Sequence, residues 1–180
     1  TPLPGTEASW SPVFSPDGTQ LAFVSPTSQI QILDLERGSS RTLADSGVAI
    51  LDWSPDGQLY YFRGVTLGDT WRIDADGGRA EPVPVLSGNP SPSPPWGPGD
   101  VLPGGHSMVI TQYPQGGVGA GGAMVVAVDF ETESVTPLTQ GSDPRYLDEG
   151  YLLWATRDGS LMVASFDPEA LELTGPPRPA

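Results

Sequence analysis

The sequence contains no cysteine, no lysine and a single histidine, and each shortage removes a class of chemistry. Without cysteine there can be no disulfide and no thiol nucleophile, and a zinc site lacks its usual cysteine and histidine ligands. The cationic side chains are eight arginines, set against 22 acidic residues for a formal net charge of −14. Nucleic acids and anionic membrane surfaces both require a basic footprint, so we expect neither as a partner.

Long apolar runs are also missing. No stretch approaches the roughly 20 apolar residues that a membrane-spanning helix needs, and no signal sequence is recognisable. We therefore expect these 180 residues not to insert into a membrane, with any anchor lying outside them.

Glycine and proline are abundant, with 23 and 21 residues, and they punctuate short apolar runs as the turns of an all-β domain do. The tetrapeptide Ser-Pro-Asp-Gly occurs at 15–18 and again 39 residues later at 54–57, each time just before an apolar run. Proline presets φ for a tight turn, aspartate caps it, and glycine adopts the left-handed conformation that closes a hairpin. A repeat of about 40 residues is typical of one blade of a β-propeller.

The chain is therefore predicted to be all-β, a single β-propeller domain of four-stranded antiparallel blades, with about four blades forming a ring or part of one. Residues 1–5 are interpreted as the end of a preceding blade, 8–46, 47–86 and 87–140 as blades, and 141–180 as an incomplete blade. The proline run 90–95, within the linker 87–100, is predicted to cross the surface as extended chain rather than join a sheet. A second periodic mark, an aspartate at the end of each third strand, is carried by Asp34, Asp74, Asp129 and Asp167.

Candidates for catalysis or metal binding are weak. His106 and Ser107 are adjacent, so in a strand they would point to opposite faces, and no nucleophile elbow surrounds them. The run from Asp74 to Gly78 resembles the start of a calcium loop but lacks the later acidic ligand and lies where a hairpin turn is expected. The repeated aspartates are expected to be spread around the ring. We therefore expect no enzymatic activity, no cofactor and no bound metal.

Contact residues are expected on the rim formed by the loops between second and third strands and between blades, since exposed loops carry function more often than the core does. Trp10 and Trp53 recur near the blade spacing and are interpreted as core, whereas Trp96 is either a plug between blades or a contact residue. The candidate binding residues on this rim are Arg63, Asp69, Trp96, Tyr113, Arg145 and Arg157.

The Ser-Pro-Asp-Gly repeats resemble those of TolB-like and WD-repeat-like propellers. In a narrower sense, the order of several motifs resembles the propeller attached to bacterial serine/threonine protein kinases; these motifs are Pro4 to Glu7, Phe14 to Gly18, Leu102 to Gly105, Val128-Asp129, Pro144 to Tyr146, Phe166-Asp167 and Leu173 to Pro177. This resemblance implies a larger, six-bladed type of ring that follows a membrane-spanning segment and a cytoplasmic kinase. It therefore implies a bacterial, extracytoplasmic or extracellular location.

Three functions remain open at this point. The first is a non-catalytic module that binds a protein or another ligand as a sensor or scaffold. The second is a structural subunit that self-associates through incomplete blade edges, with Thr1 to Pro4 supplying an outer strand either within one chain or between chains. The third is the accessory propeller of a hydrolase or lyase. A protein partner or self-association is expected, while the identity of any small ligand stays open.

Overall fold

The computed structural model describes residues 3–63, 69–87, 96–114 and 122–180, and they form four small antiparallel sheets arranged as a four-blade β-propeller. The prediction of an all-β propeller is therefore confirmed. Within the described ranges, the helical structure is limited to the 3-10 turn Pro84–Leu86. No helix in those ranges is long and apolar enough to span a bilayer.

Each blade follows the chain from its first strand outward. Blade I contains β1 (Trp10–Phe14), β2 (Gln20–Val24), β3 (Ile30–Asp34) and β4 (Ser40–Ala44). Blade II contains β5 (Ala49–Trp53), β6 (Gln58–Arg63), β7 (Asp69–Asp74) and β8 (Glu81–Pro82). Blade III contains β9 (Trp96–Val101), β10 (Ser107–Gln112), β11 (Met124–Asp129) and β12 (Ser134–Gln140). Blade IV contains β13 (Ser142–Leu147), β14 (Tyr151–Ala155), β15 (Leu161–Asp167), β16 (Glu172–Leu173) and β17 (Arg178–Pro179).

The Ser-Pro-Asp-Gly turns have the geometry that their residues dictate. The Ser15 hydroxyl donates to the Asp17 carboxylate at 2.6 Å and accepts from the Gln20 amide at 2.9 Å. Gly18 and Gly57 have φ values of 72° and 87°, a conformation that strains any residue with a Cβ. The same turn recurs between β14 and β15, where the Thr156 amide bonds to the Ser160 carbonyl at 2.8 Å and Gly159 has a φ of 85°.

The aspartates that end the third strands cap the following turns. The Oδ1 atom of Asp34 accepts hydrogen bonds from the amides of Glu36 and Arg37, at 3.0 and 2.8 Å. Asp129 and Asp167 accept from the amides two and three residues later in the same way. The fourth residue after each of these three is left-handed, and it is Gly38, Glu133 or Leu171. These turns therefore share one backbone geometry although only the first has the favoured glycine.

Three apolar clusters lie between successive blades, and we name them seams. The first seam, between blades I and II, is built around Ile30, Ile32, Trp53 and Tyr61. The second, between blades II and III, contains Tyr60, stacked on Phe130 with ring centroids 5.4 Å apart. The third, between blades III and IV, contains Leu152, Trp154 and Phe166. No hydrogen bond between blades I and IV is found among the residues that the structure describes.

Some expectations about individual residues need correction. Trp53 is buried as predicted, but Trp10 is 41% exposed, so its assignment to the core is wrong. The turn equivalence places Phe14, not Trp10, at the position of Trp53, and Phe14 is itself 62% exposed. Trp10 instead donates its indole N–H to the Val48 carbonyl at 2.8 Å and so links blade I to the chain entering blade II.

The end of the linker before blade III is a strand, although the sequence predicts no strand at Trp96. β9 begins at Trp96, which is 7% exposed and belongs to the second seam, so this residue is a plug between blades and not an exposed contact residue. Gly99 makes the strand possible, because a Cβ there would lie 2.5 Å from the Val109 carbonyl oxygen. The proline run 90–95 lies outside the described residues.

The two ends of the chain differ from the expectation. Leu3 to Ser9 contains turns and no strand, and Thr1 and Pro2 lie outside the described residues, so no outer strand is seen there. Blade IV is not incomplete, because β16 and β17 both pair with the outer edge of β15. The chain therefore supplies the outer strand of blade IV itself, in two short pieces, since the proline run at 176–177 interrupts it.

Candidate binding site

The six predicted contact residues are distributed over three blades, two in each. In blade II, Arg63 ends β6 and faces Asp69, which begins β7, in the pairing of the two strands. In blade III, Trp96 is buried, and the Tyr113 ring lies against the backbone of Gly97. The remaining pair, in blade IV, consists of Arg157 in the β14–β15 turn and Arg145 in β13.

A groove of about 1050 Å³ opens where the outer strands of blades I and II separate. One side is formed by Thr42 to Ser46, which end β4 and follow it, and the other by Gly78 to Pro82, which lead into and form β8. Four side chains of β6 and β7 also line it, and these are Tyr61, Arg63, Trp71 and Ile73. Arg63 is the one predicted contact residue that belongs to this groove.

An arginine is stacked on a tryptophan in the groove. The guanidinium carbon of Arg63 lies 4.5 Å from the centre of the Trp71 ring, within the range of a cation–π contact. The Nε–H group of Arg63 donates to the Ser46 hydroxyl at 3.0 Å, which ties this side chain to the opposite blade. The groove therefore presents a flat, oriented cation that is supported from both sides.

Further charges sit along the same groove. Arg79 is exposed, and it has no ion-pair partner in the described part of the chain. Glu81 is paired with Arg72 at 3.4 Å, and Asp45 is exposed on the other wall. Burial raises the pKa of the nearby Tyr61 phenol, an effect that the charge of Arg63 opposes, so Tyr61 is a neutral group at physiological pH.

The groove is not predicted from the sequence. Four of the eight arginines lie between residues 41 and 79, the segment that forms the facing strands of blades I and II. Arg41 donates to the Ala75 carbonyl across the same seam. The same segment also contains six aspartates, so the charge of the sequence does not mark this seam.

A second group of charged residues connects adjacent blades. The Asp52 carboxylate accepts a hydrogen bond from the Val101 amide at 2.7 Å, and the Asp100 carboxylate accepts one from the Tyr146 amide at 2.8 Å. Arg145 pairs with Asp100 and also donates to the Gly99 carbonyl at 3.1 Å. Arg145 lies in β13, its side chain is 51% exposed, and it contacts residues of blade III.

Burial raises the pKa of Asp52 to about 6, and the negative charge of Asp100 adds to this effect, while the hydrogen bond from Val101 opposes it. A raised carboxyl pKa is common at catalytic sites. Here both carboxylates accept backbone amides from the next blade at equivalent positions. The arrangement holds adjacent blades together, so we assign it a structural role.

The weak candidates for chemistry lie in turns. The imidazole of His106 is 73% exposed and lies 3.3 Å from the Glu131 carboxylate. Asp74 caps the β7–β8 turn by accepting the Asp76 amide at 2.8 Å. Within the described ranges, no three histidine, cysteine, aspartate or glutamate side chains are grouped in a way that could hold a metal ion.

No model of a known protein family matches the chain, and no curated protein matches its sequence. Solved structures share its fold, among them oligogalacturonate lyase in complex with manganese, with a TM-score of 0.60 at 16% identity over 94% of this chain and 52% of that one. The WD40 repeats of RRP9 give 0.60 at 16% identity over 90% of this chain and 46% of theirs. A puromycin-hydrolyzing peptidase of Mycobacterium tuberculosis gives 0.57 at 17% identity over 97% of this chain and 29% of that one.

The chain therefore spans about half of the length of the lyase and of the WD40 protein, and less of the peptidase. Identities this low show a common propeller fold and nothing about activity.

Proposed function

We propose that this chain is a non-catalytic binding module, a propeller that holds a segment of a partner protein or another ligand in the groove between blades I and II. The observation that carries the proposal is the Arg63–Trp71 stack beside the exposed Arg79. Aromatic and arginine side chains dominate the binding energy of protein interfaces, and here they line a concave surface.

The energetic argument concerns the state of these side chains before binding. Arg63 is already held by Trp71 and Ser46, so a ligand that contacts its guanidinium loses less side-chain entropy than it would on a free arginine. Trp71 is partly buried against the first seam, which fixes its ring. A groove whose contact groups are ordered in advance is suited to binding.

The proposal includes a cellular location for the module. The order of motifs along the chain resembles the propeller of bacterial membrane-anchored kinases, and this supports a sensor or scaffold role outside the cytoplasm. The alternative of assembly through incomplete blade edges is less well supported, because the outer edge of β15 is already occupied by β16 and β17.

A peptide-display experiment tests the binding function while the ligand is unidentified. A random 12-residue peptide library is selected on the purified chain, and individual enriched peptides are then measured by fluorescence anisotropy. We expect Arg79→Glu to weaken their binding by roughly tenfold or more, because it replaces an attractive charge in the groove by a repulsive one. Arg178→Glu is the matched control, since Arg178 is an exposed arginine on blade IV outside the candidate residues, and it should bind as the parent does.

Circular dichroism and urea denaturation establish that both variants fold. Enriched peptides that bind Arg79→Glu and the parent equally would show that the groove is not the binding site. Failure of the library to yield any peptide with saturable binding would contradict the binding function for protein segments.

A further inference from the structure

The four blades protect their outer strands unequally. β8 has two residues and contains Pro82, β12 contains Pro137, and blade IV ends in the two-residue strands β16 and β17, the latter with Pro179. Short strands and prolines are common means of preventing an edge from pairing with another chain, because proline has no amide hydrogen. β4 is five residues long and contains no proline, so it is the outer strand in the described structure that lacks both protections.

The backbone groups of β4 that face outward can be identified from its pairing. The Asp34 amide bonds to the Ser39 carbonyl at 3.0 Å, and Ser40 and Thr42 are paired in register with Leu33 and Gln31. The direction of hydrogen bonding alternates along an antiparallel strand, so Ser40 and Thr42 point their N–H and C=O groups away from β3. Both residues are exposed, and no described residue bonds to these backbone groups.

This free edge borders the groove described above. Thr42, Leu43 and Ala44 belong to β4 and line the groove directly. An added strand would lie about 4.8 Å from β4, and every second side chain of it would face the same way. On the groove side these side chains would meet Trp71 and Arg79, an apolar surface beside a cation without an ion-pair partner among the described residues.

We infer that the groove receives an extended segment of a partner protein, which adds to the outer edge of β4 as a fifth strand and directs an acidic side chain to Arg79. The inference rests on the proposed function and specifies its ligand. Main-chain hydrogen bonds to Ser40 and Thr42 supply affinity, and the side chains that alternate toward the groove supply selectivity.

Charge argues for a separate partner rather than a second copy of this chain. Each copy carries a formal net charge of −14, so pairing two copies edge to edge brings together two strongly negative molecules. A short segment of another protein carries far less negative charge than a second copy. In the groove, which is lined by Asp45 and Glu81 as well as by Arg63 and Arg79, Arg79 is the cation that faces its acidic side chain.

The test uses a synthetic heptapeptide of alternating valine and glutamate, capped at both ends and carrying a fluorophore. Anisotropy measures its binding to the full chain and to Thr42→Pro, which removes one outward amide and leaves the pairing of β4 with β3 intact. We expect Thr42→Pro to weaken binding by roughly tenfold, the effect of one lost hydrogen bond with the added clash of the ring. The matched control is Val135→Pro, at an exposed position on β12 of blade III, which should leave binding unchanged.

Two modified peptides separate the contribution of main-chain hydrogen bonds from that of the acidic side chains. A peptide that is N-methylated at its central backbone amides should lose binding, and a peptide with lysine in place of glutamate should bind less tightly. Amide hydrogen exchange should show protection of Ser40 and Thr42 when the parent peptide is bound. Equal binding of the N-methylated peptide, equal binding by Thr42→Pro, or absence of binding by the alternating peptide would each overturn strand addition.

These outcomes are distinct from failure of the proposed function. If library-selected peptides depend on Arg79 while Thr42→Pro binds them normally, the groove remains a binding site and strand addition is wrong. If sedimentation shows a dimer of the chain that Thr42→Pro abolishes, the occupant of the edge is a second copy, and the inference of a separate partner is overturned.

Discussion

The Asp52 carboxylate accepts a hydrogen bond from the Val101 amide at 2.7 Å, across the seam between blades II and III. Asp100 repeats this contact with Tyr146 one blade later, at 2.8 Å. Each acid lies two residues before the residue that begins the following turn, Ser54 in blade II and Leu102 in blade III. A carboxylate in each of two first strands thus fastens the next blade through its backbone.

The raised pKa of Asp52 predicts a dependence of stability on pH. The native carboxyl keeps its proton up to about pH 6, whereas the unfolded chain releases it near the ordinary value of 3.8. Between these values the native state binds more protons, so its stability falls as the pH rises through this window. The difference corresponds to about 3 kcal/mol at most. We expect Asp52→Asn to be more stable than the parent at pH 7.5 and to approach it below pH 4, as measured by urea denaturation.

Asp148→Asn, at an exposed turn in blade IV, is the control for loss of one negative charge. A stability difference between Asp52→Asn and the parent that does not change with pH would contradict the assignment.

Asp100 and Arg145 should contribute unequally to the third seam. Removing Asp100 leaves the Tyr146 amide without its acceptor, and because this donor is part-buried we expect a cost near the lower end of about 1–3 kcal/mol. The Arg145 side chain is 51% exposed, and exposed ion pairs contribute little, so we expect less than about 1 kcal/mol from Arg145→Ala. A double-mutant cycle with Asp100→Ala measures the coupling. A larger loss from Arg145→Ala than from Asp100→Ala would show that the ion pair, and not the backbone contact, holds the seam.

The equivalent turns after the third strands allow a paired test of backbone strain. Gly38 and Glu133 occupy the same left-handed position, with φ values of 66° and 54°. We expect Glu133→Gly to stabilise the chain by up to about 1 kcal/mol and Gly38→Ala to destabilise it by a similar amount, because only glycine adopts this conformation without strain. Thermal denaturation of the two variants checks the prediction. The prediction requires the two changes in stability to have opposite signs. If both variants are destabilised, the side chain of Glu133 matters more than its backbone conformation.

The stability of the whole chain should pass through a maximum in mildly acidic solution. Hydrogen bonds from turn residues lower the pKa of Asp17, Asp129 and Asp158. These ionised carboxylates therefore stabilise the native state above their pKa in the unfolded chain, and this stabilisation is lost as the pH falls below it. On the other side, ionisation of Asp52 and the repulsion of a net charge of −14 both reduce stability as the pH rises. Urea denaturation over a range from strongly acidic to mildly alkaline solution should locate the maximum at about pH 4–5, between the two effects. A monotonic increase of stability up to mildly alkaline pH would contradict it.

The turns can be predicted because their causes are local. Four residues such as Ser15 to Gly18 contain the proline, the capping acid and the left-handed glycine that make the hairpin, and the same holds for the capping aspartates. The related turn at Thr156 to Gly159 is not evident as a repeat in the sequence, because it lacks the proline.

Features that depend on how blades meet cannot be predicted in this way. Phe14 and Trp53 occupy equivalent positions in their blades, yet Phe14 is exposed and Trp53 is buried. They differ because Trp53 faces a neighbouring blade and Phe14 does not. The groove forms where two outer strands separate, which depends on the angle between blades and on no local motif. For the same reason the sequence does not predict the pairing of Arg145 with Asp100, since Asp100 lies 45 positions earlier in the chain.

The seams have a consequence for the order in which the molecule opens. Each of the three apolar clusters joins blades that follow one another along the chain, so the propeller resembles a linear array in which stability is a sum of units and nearest-neighbour interfaces. Blades II and III contribute to two clusters, and blades I and IV to one. We therefore expect local opening to start at the outer members of the array and to move inward, with the central strands β6 and β10 the last to lose protection from hydrogen exchange.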